Sequence, residues 1–151
     1  MKNWVLKKFD DLDARELYAI LQLRHEVFVV EQNCVFQDAD DKDFSCLHLM
    51  AWQDGKLVAY SRIAPPGKIY AEASIGRVVT SPALRKKGLG KELMELSLKE
   101  IEKRYGPVPV KLGAQLYLKK FYTDLGFLQA GPPYLEDGIE HIEMFARKNP
   151  K

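Results

Sequence analysis

Short apolar runs along the chain alternate with two longer stretches of helical spacing. Trp4, Leu6 and Phe9, separated by polar neighbours, predict a first strand over 3–9. Asp13 followed three residues later by Glu16 has capping-box spacing. Leu17, Ile20, Leu21, Val27 and Phe28 then recur at helical intervals, predicting a helix to about Val30 with a break near Arg24. The runs at 47–52 and 57–63 flank Asp54-Gly55, and an Asp-Gly step between such runs predicts a hairpin because both residues tolerate positive φ. Pro65-Pro66-Gly67 ends that hairpin.

Ile75, Val78 and Val79 place a further strand over 71–80, stopped by Ser81-Pro82. From Gly88 onward, Leu89, Leu93, Leu96, Ile101 and Tyr105 mark one face of a helix that Gly106-Pro107 terminates. A strand over 108–113, a helix over 115–125 closed by Gly126, and strands at 127–129 and 139–146 complete the pattern. Strands interleaved with helices in this order predict an α/β (α+β) sheet with helices on its faces.

Composition narrows the class. The 151 residues fit one domain, 1–151, and 46% hydrophobic residues are enough for its core. With 23 Lys and Arg against 21 Asp and Glu, the net charge of +2 is too small to argue for nucleic acid or a membrane surface. No window approaches the ~20 apolar residues of a membrane span, and 1–9 lacks the apolar run of a signal peptide. Cys34 and Cys46 do not make a disulfide framework. The expectation is a cytoplasmic protein with two reduced thiols.

The informative stretch is 78–91. It places a strand, a loop with the three consecutive cations Arg85, Lys86 and Lys87, the glycines Gly88 and Gly90, and then a helix that carries Lys91 in its first turn. Glycine lets backbone approach an anion closely, and a helix start adds unpaired N–H groups and the positive end of its dipole. Together these suit a pyrophosphate. Neither common nucleotide motif fits, because Glu92 stands where a Walker loop needs Ser or Thr and Leu93 where a dinucleotide fingerprint needs glycine. On its own the loop is equally a basic helix start that binds nothing.

Its neighbours change that. Arg85-Lys86-Lys87-Gly88-Leu89-Gly90 resembles the loop of the GCN5-related N-acetyltransferase (GNAT) superfamily, which reads Arg/Gln-x-x-Gly-x-Gly/Ala between a strand and a helix. Pro82 falls where that family often has proline. Phe121-Tyr122 ahead of Gly126-Phe127 looks like its second motif, within a segment that begins at Gln115. The stretch from Leu23 to Cys34, with Asp38, Asp40 and Asp41 after it, is similar to the ElaA-like branch. The likeness spans nearly the whole chain.

The resemblance implies a mixed central sheet with a splayed strand pair, flanked by about four helices. It implies acetyl-CoA as co-substrate, with the pantetheine arm on the backbone of Val78, Val79 and Thr80. The phosphates would lie on the amides from Lys86 through Lys87, Gly88, Leu89 and Gly90 to Lys91. Arg85, Gln115 and Tyr122 also face the coenzyme on this reading, and no metal is called for. The acceptor is a small-molecule or peptide amine, bound by the 13–30 segment and loops near Phe36 and Tyr134. The oligomeric state, monomer or homodimer, is left open.

The chemistry implied is direct attack of a neutral amine on the thioester in a ternary complex, with an N–H near Val78 stabilising the oxyanion. Tyr122 is the expected general acid for the leaving thiolate. For the base, Glu72 leads, with Glu31, His48 and water as alternatives. A coenzyme-binding sensor without turnover and a transferase for longer acyl groups are the competing readings.

Other features read plainly. The acidic run at 38–43 fails as a calcium loop, since Asp43 and Leu49 stand where glycine and glutamate are needed. It is expected to be a solvated loop, or one that draws in a cationic substrate. His25, His48 and His141 lack metal-ligand spacing, and neither cysteine lies in a CxxC pair.

Overall fold

The computed structural model describes residues 2–146 of the chain. The strands are β1 (Asn3–Lys8), β2 (Leu47–Gln53), β3 (Lys56–Ala64), β4 (Ala73–Thr80), β5 (Val110–Gln115), β6 (Leu128–Gln129), β7 (Tyr134–Glu136) and β8 (Ile139–Ala146). They form one mixed sheet in the order β1-β2-β3-β4-β5-β8-β6, with β7 also paired to β8. Every pairing is antiparallel except β4 with β5. Among the described residues, three α-helices accompany the sheet: α1 (Ala14–Arg24), α2 (Leu89–Tyr105) and α3 (Lys119–Asp124).

Local chemistry explains the boundaries. Asp13 accepts from the Glu16 amide at 2.7 Å and Glu16 accepts from the Asp13 amide at 2.9 Å, closing the capping box at the start of α1. Past Arg24 the backbone winds more loosely as a π-helical segment, His25–Glu31, so the break foreseen there is a change of winding within one continuous run. Asp54 and Gly55 both take positive φ, 52° and 78°, and turn β2 into β3.

The sheet is covered on both faces. Leu49, Ala51, Ala59, Ile63 and Ile75 pack with Leu93, Met94 and Ile101 of α2 on one face. Met50, Tyr60 and Val79 pack with Ile20, Leu23 and Val27 on the other. That is why β2 and β3 read as continuous apolar runs rather than strict alternation. Among the described residues, no helix is long and apolar enough to cross a membrane.

Three details depart from the sequence pattern. The strand expected at 108–113 runs over Val110–Gln115, because Gln115 still pairs with His141. The following helix therefore begins later, as a 3₁₀ turn over Leu116–Leu118 that leads into α3. The short strand β7 was not anticipated; it returns into β8 through Asp137-Gly138, whose φ values of 52° and 80° repeat the first hairpin's turn.

The feature that makes a site is the separation of β4 from β5. They pair only at Ala73–Val110 and Ser74–Lys111 and then diverge. Arg77 sits on β4 at φ 49°, and the ladder with β3 shifts between Tyr60 and Arg62, the signature of a bulge. Beyond Ser74 the β5-facing edge of β4 is left without a strand partner.

Candidate active site

The gap opens into a cleft of about 1170 Å³, lined by Ile75 to Thr80 on β4 and by Gly113 and Gln115 on β5. At one end the cleft meets the loop before α2. Lys86 and Gly88 there adopt left-handed backbone, φ 66° and 78°, which brings the loop around to the helix start. A Cβ on Gly88 would meet nothing within 4 Å, so its constraint is conformational and the space beside it is open. Gly90 differs: its Cβ would lie 3.5 Å from Phe121, an ordinary contact. The side chains of Lys86, Lys87 and Lys91 have no ion-pair partner among the described residues. Arg85 is held instead by Glu31 across the cleft, with Nη1 and Nη2 donating to the two carboxylate oxygens at 2.5 and 2.6 Å.

Along the same cleft Tyr122 projects from α3, buried, with its ring edge-on to Phe121 and Phe127 at centroid distances of 5.0 and 5.9 Å. Burial, with a smaller contribution from Tyr117, pushes its phenol above the ordinary tyrosine range. Tyr122 therefore remains a hydrogen-bond donor throughout the neutral pH range.

The far end is built differently. Gln115 and Gln32 exchange amide hydrogen bonds of 3.1 and 3.2 Å, tying β5 to the end of the π-helical segment. His141 is the cross-strand partner of Gln115 on one side and of Tyr134 on the other, and its ring stacks on Tyr134 at 5.9 Å. The tyrosine hydroxyls of Tyr134 and Tyr70 converge above Gly113, where a Cβ would lie 2.9 Å from the first and 3.6 Å from the second. Glu136 and Asp137 also line this end.

A network of charges from four elements borders the cleft, and Asp40, Arg62 and Arg77 of it also line the cleft. Arg24 donates to Asp38 at 2.7 Å and to Asp43 at 2.9 Å. Arg62 grips Asp40 through both terminal nitrogens at 2.8 and 3.1 Å and reaches Asp43 at 3.0 Å. Arg77, at the β4 bulge, donates to the Asp38 carbonyl at 2.9 Å and to Asp40 at 3.2 Å. Its Nε also lies 2.7 Å from Asp38 Oδ1, but off the hydrogen-bond line, so that contact is ionic only. Burial alone would raise the Asp40 carboxyl; the hydrogen bonds and charge of Arg62 outweigh it and hold the group at about 2. The acidic run is thus no solvated loop: Asp38 and Asp43 are buried and neutralised by arginines that the chain brings from far away.

The residues singled out in the sequence fall unevenly around this cleft. Val78, Val79, Thr80, Arg85, Lys86, Gly88, Leu89, Gly90, Lys91, Gln115 and Tyr122 line it, whereas Lys87 does not. Glu72 lies just before β4 and is not a lining residue. Glu31 lines the cleft, but the Arg85 hydrogen bonds lower its pKa, which makes it a poor base. His48 is away from the cleft and buried; its Nε2 donates to the Asp43 carbonyl at 3.0 Å and its Nδ1 accepts from the Tyr60 hydroxyl at 2.6 Å. Both nitrogens are engaged, and burial lowers its pKa further, so His48 is a core histidine. Sequence reading gave no role to His141, Arg62 or Arg77, which lie far along the chain from the acidic run and carry no local signal. Among the described residues, no cluster of three or more His, Cys, Asp or Glu could hold a metal.

Comparison with known proteins agrees with this geometry. The acetyltransferase (GNAT) domain matches residues 20–148. The protein ElaA of Escherichia coli is 42% identical over 146 residues, 95% of each chain, and its crystal structure superposes with a TM-score of 0.91 over 97% of this chain and 100% of that one. An acyl-CoA N-acyltransferase from Pseudomonas aeruginosa is 46% identical over 96% of this chain and 99% of its own, also with a TM-score of 0.91. An aminoglycoside 6'-N-acetyltransferase solved with coenzyme A shares the fold alone, at 16% identity and a TM-score of 0.71 over 95% and 96% of the two chains.

Proposed function

The chain belongs to the acetyltransferase (GNAT) domain family, and from that premise we propose that it transfers an acetyl group from acetyl-CoA to a primary amine by direct attack in a ternary complex. The family makes it an acyl-CoA-dependent transferase; the acetyl group, the amine and the route are our reading. One observation carries it: a single cleft joins unpartnered lysines at a helix start, a β4 edge freed from β5, and the buried Tyr122.

Each part has a physical task. The α2 start, with Lys86 and Lys91, takes the pyrophosphate through backbone N–H groups and charge, which removes any need for a counter-ion. The freed edge of β4 from Val78 to Thr80 offers backbone donors and acceptors to the amide-bearing pantetheine arm. It thereby lays the thioester along the sheet toward Gln115. An N–H at Val78 faces the thioester oxygen as negative charge develops there. When nitrogen attacks, the C–N bond forms, the C–S bond breaks and the sulfur leaves with the electron pair. Tyr122 supplies the proton it needs.

The test is acetyl-CoA consumption against a panel of amines, peptides and aminoglycosides, with a longer acyl-CoA in parallel. Acetyl transfer to at least one amine is expected. Binding without turnover on any acceptor would favour a sensor, and preference for the longer donor would replace the acetyl group. Tyr122→Phe is expected to lower kcat on the order of 10²-fold while leaving acetyl-CoA affinity near normal. Equal turnover at every pH would remove Tyr122 from the mechanism.

A further inference from the structure

The far end of the cleft holds a histidine that neither the motif nor the coenzyme site uses. We propose that His141 is the general base that takes the proton from the acceptor's ammonium group; this rests on the amine-acetylation reading above. His141 Nδ1 lies 2.8 Å from the Ile139 carbonyl oxygen. A carbonyl can only accept, so Nδ1 carries the hydrogen and Nε2 is left with a free lone pair. Second-neighbour interactions of this kind decide which histidine nitrogen can act as base.

The surroundings hold that lone pair in place. Gln115 and Tyr134 are its cross-strand partners, so all three side chains share one face of the sheet. Gln115 is fixed by its amide pair with Gln32, and the Tyr134 ring stacks on the imidazole. Gly113, two residues from Gln115 on the same face, gives Tyr134 the room to do so. His141 lines the cleft that also contains Tyr122, and the two come from different elements, β8 and α3.

The charged groups around the imidazole are compatible with a cationic acceptor. On its own face, Glu143 is paired with Lys111 at 3.3 Å. Glu136 on β7 and Asp137 in the turn line the cleft beside it, while Tyr134 is held protonated at about 12 by burial, Tyr70 and the glutamates. Tyr70 is likewise raised by burial. Across the cleft, Glu31 is committed to Arg85 and Asp40 to Arg62 and Arg77, while Cys34 donates its thiol to the Asp137 carbonyl at 3.2 Å. The carboxylates near the imidazole attract an ammonium, and His141 presents it with an Nε2 that carries no hydrogen-bond partner among the described residues.

The proton count closes. The ammonium gives one proton to Nε2, which passes it to water. The neutral amine then adds to the thioester carbonyl, and the second proton on nitrogen balances the one that Tyr122 delivers to the thiolate. The products are amide, free thiol and one released proton.

The experiment is a pH–rate profile of His141→Gln beside the wild type, using an amine that the wild type acetylates. A loss in kcat/KM on the order of 10²-fold or more is expected near neutral pH. It should shrink as pH approaches the free amine's own pKa, where no base is needed, with acetyl-CoA affinity unchanged by calorimetry. A loss that is equal at all pH values, or none, overturns the role. A wild type that binds acetyl-CoA and acetylates no amine removes the reading beneath it, which is a separate outcome. Should the variant not fold, ¹⁵N NMR of the wild-type imidazole decides: an Nε2–H tautomer at neutral pH excludes Nε2 as the base.

Discussion

Two groups of cationic side chains border the cleft and are used in opposite ways. At the proposed coenzyme end, Lys86 and Lys91 stand at a helix start with no ion-pair partner among the described residues. Along the proposed acceptor end, Arg24, Arg62 and Arg77 are locked to Asp38, Asp40 and Asp43. The first group keeps its charge available, so it can bind an anion. In the second, every charge is already answered within the fold, so its product is shape: it joins α1, the 38–43 loop, β3 and the β4 bulge. The difference teaches that the number of cations near a cleft says little about ligand binding; their freedom from partners says much.

The sharpest break of that comparison is in the network. Arg24 is fully buried, and its removal takes one of two countercharges from each of Asp38 and Asp43, leaving them Arg77 and Arg62. Arg24→Ala is expected to lower unfolding free energy by about 3–5 kcal/mol, the usual cost of breaking a buried pair by removing one partner, as read by urea denaturation. Removing the exposed Lys103, whose contact with Glu100 is 3.8 Å, should change it by under ~1 kcal/mol. Comparable losses from both would mean that the network is not what anchors the wall. Acid should act in the same direction. Because folding depresses the Asp40 pKa from 3.8 to about 2, its contribution is whole above pH 3.8 and is shed as pH falls through about 2.

At the coenzyme end the corresponding change is Gly88→Val. The substitution leaves the core alone, since a Cβ there meets open space. It imposes a left-handed backbone on a β-branched residue, at a cost of order 1–3 kcal/mol, and fills the approach to the α2 amides. Acetyl-CoA affinity is expected to fall about 100-fold, or ~2.7 kcal/mol, with the fold retained by circular dichroism. Unchanged affinity by calorimetry would sink the phosphate-cradle reading.

How legible these two ends were in the sequence follows from the same difference. The proposed coenzyme loop is contiguous: cations, glycines and helix start lie within a few residues, so spacing marked a helix start suited to an anion, and the resemblance of its neighbours to the GNAT superfamily supplied the coenzyme. The capping box and the Asp54-Gly55 hairpin were legible for the same local reason, whereas the break expected near Arg24 is a change of winding in a continuous run. The network joins residues from position 24 to position 77, and nothing local marks Arg62 or Arg77 as partners of the acidic run. His48 and His141 were equally opaque. His48 is saturated in the core and His141 is free at one nitrogen, a difference made by their tertiary hydrogen bonds and burial. Asp137-Gly138 carries the same turn signal, but the strand before it, β7, has only three residues and is too short to show a period.

Arg85 is the exception that tests the comparison most finely, since it belongs to the loop yet is paired like the network. Its fork closes on Glu31, an exposed carboxylate that stands where a phosphate oxygen could compete. If the pair is a competitor, Glu31→Gln frees the guanidinium and removes a negative charge from the cleft mouth, so acetyl-CoA should bind more tightly. The gain is bounded by what an exposed ion pair contributes, about 0.2–1 kcal/mol, which is a tightening of roughly 1.4- to 5-fold. It should fade as salt rises and screens the lost repulsion. Calorimetry at low and high salt reads both effects. Weaker binding by the variant would reverse the assignment: Glu31 would then be holding Arg85 in the posture that the coenzyme needs, and the loop, like the wall, would depend on a charge pair for its shape.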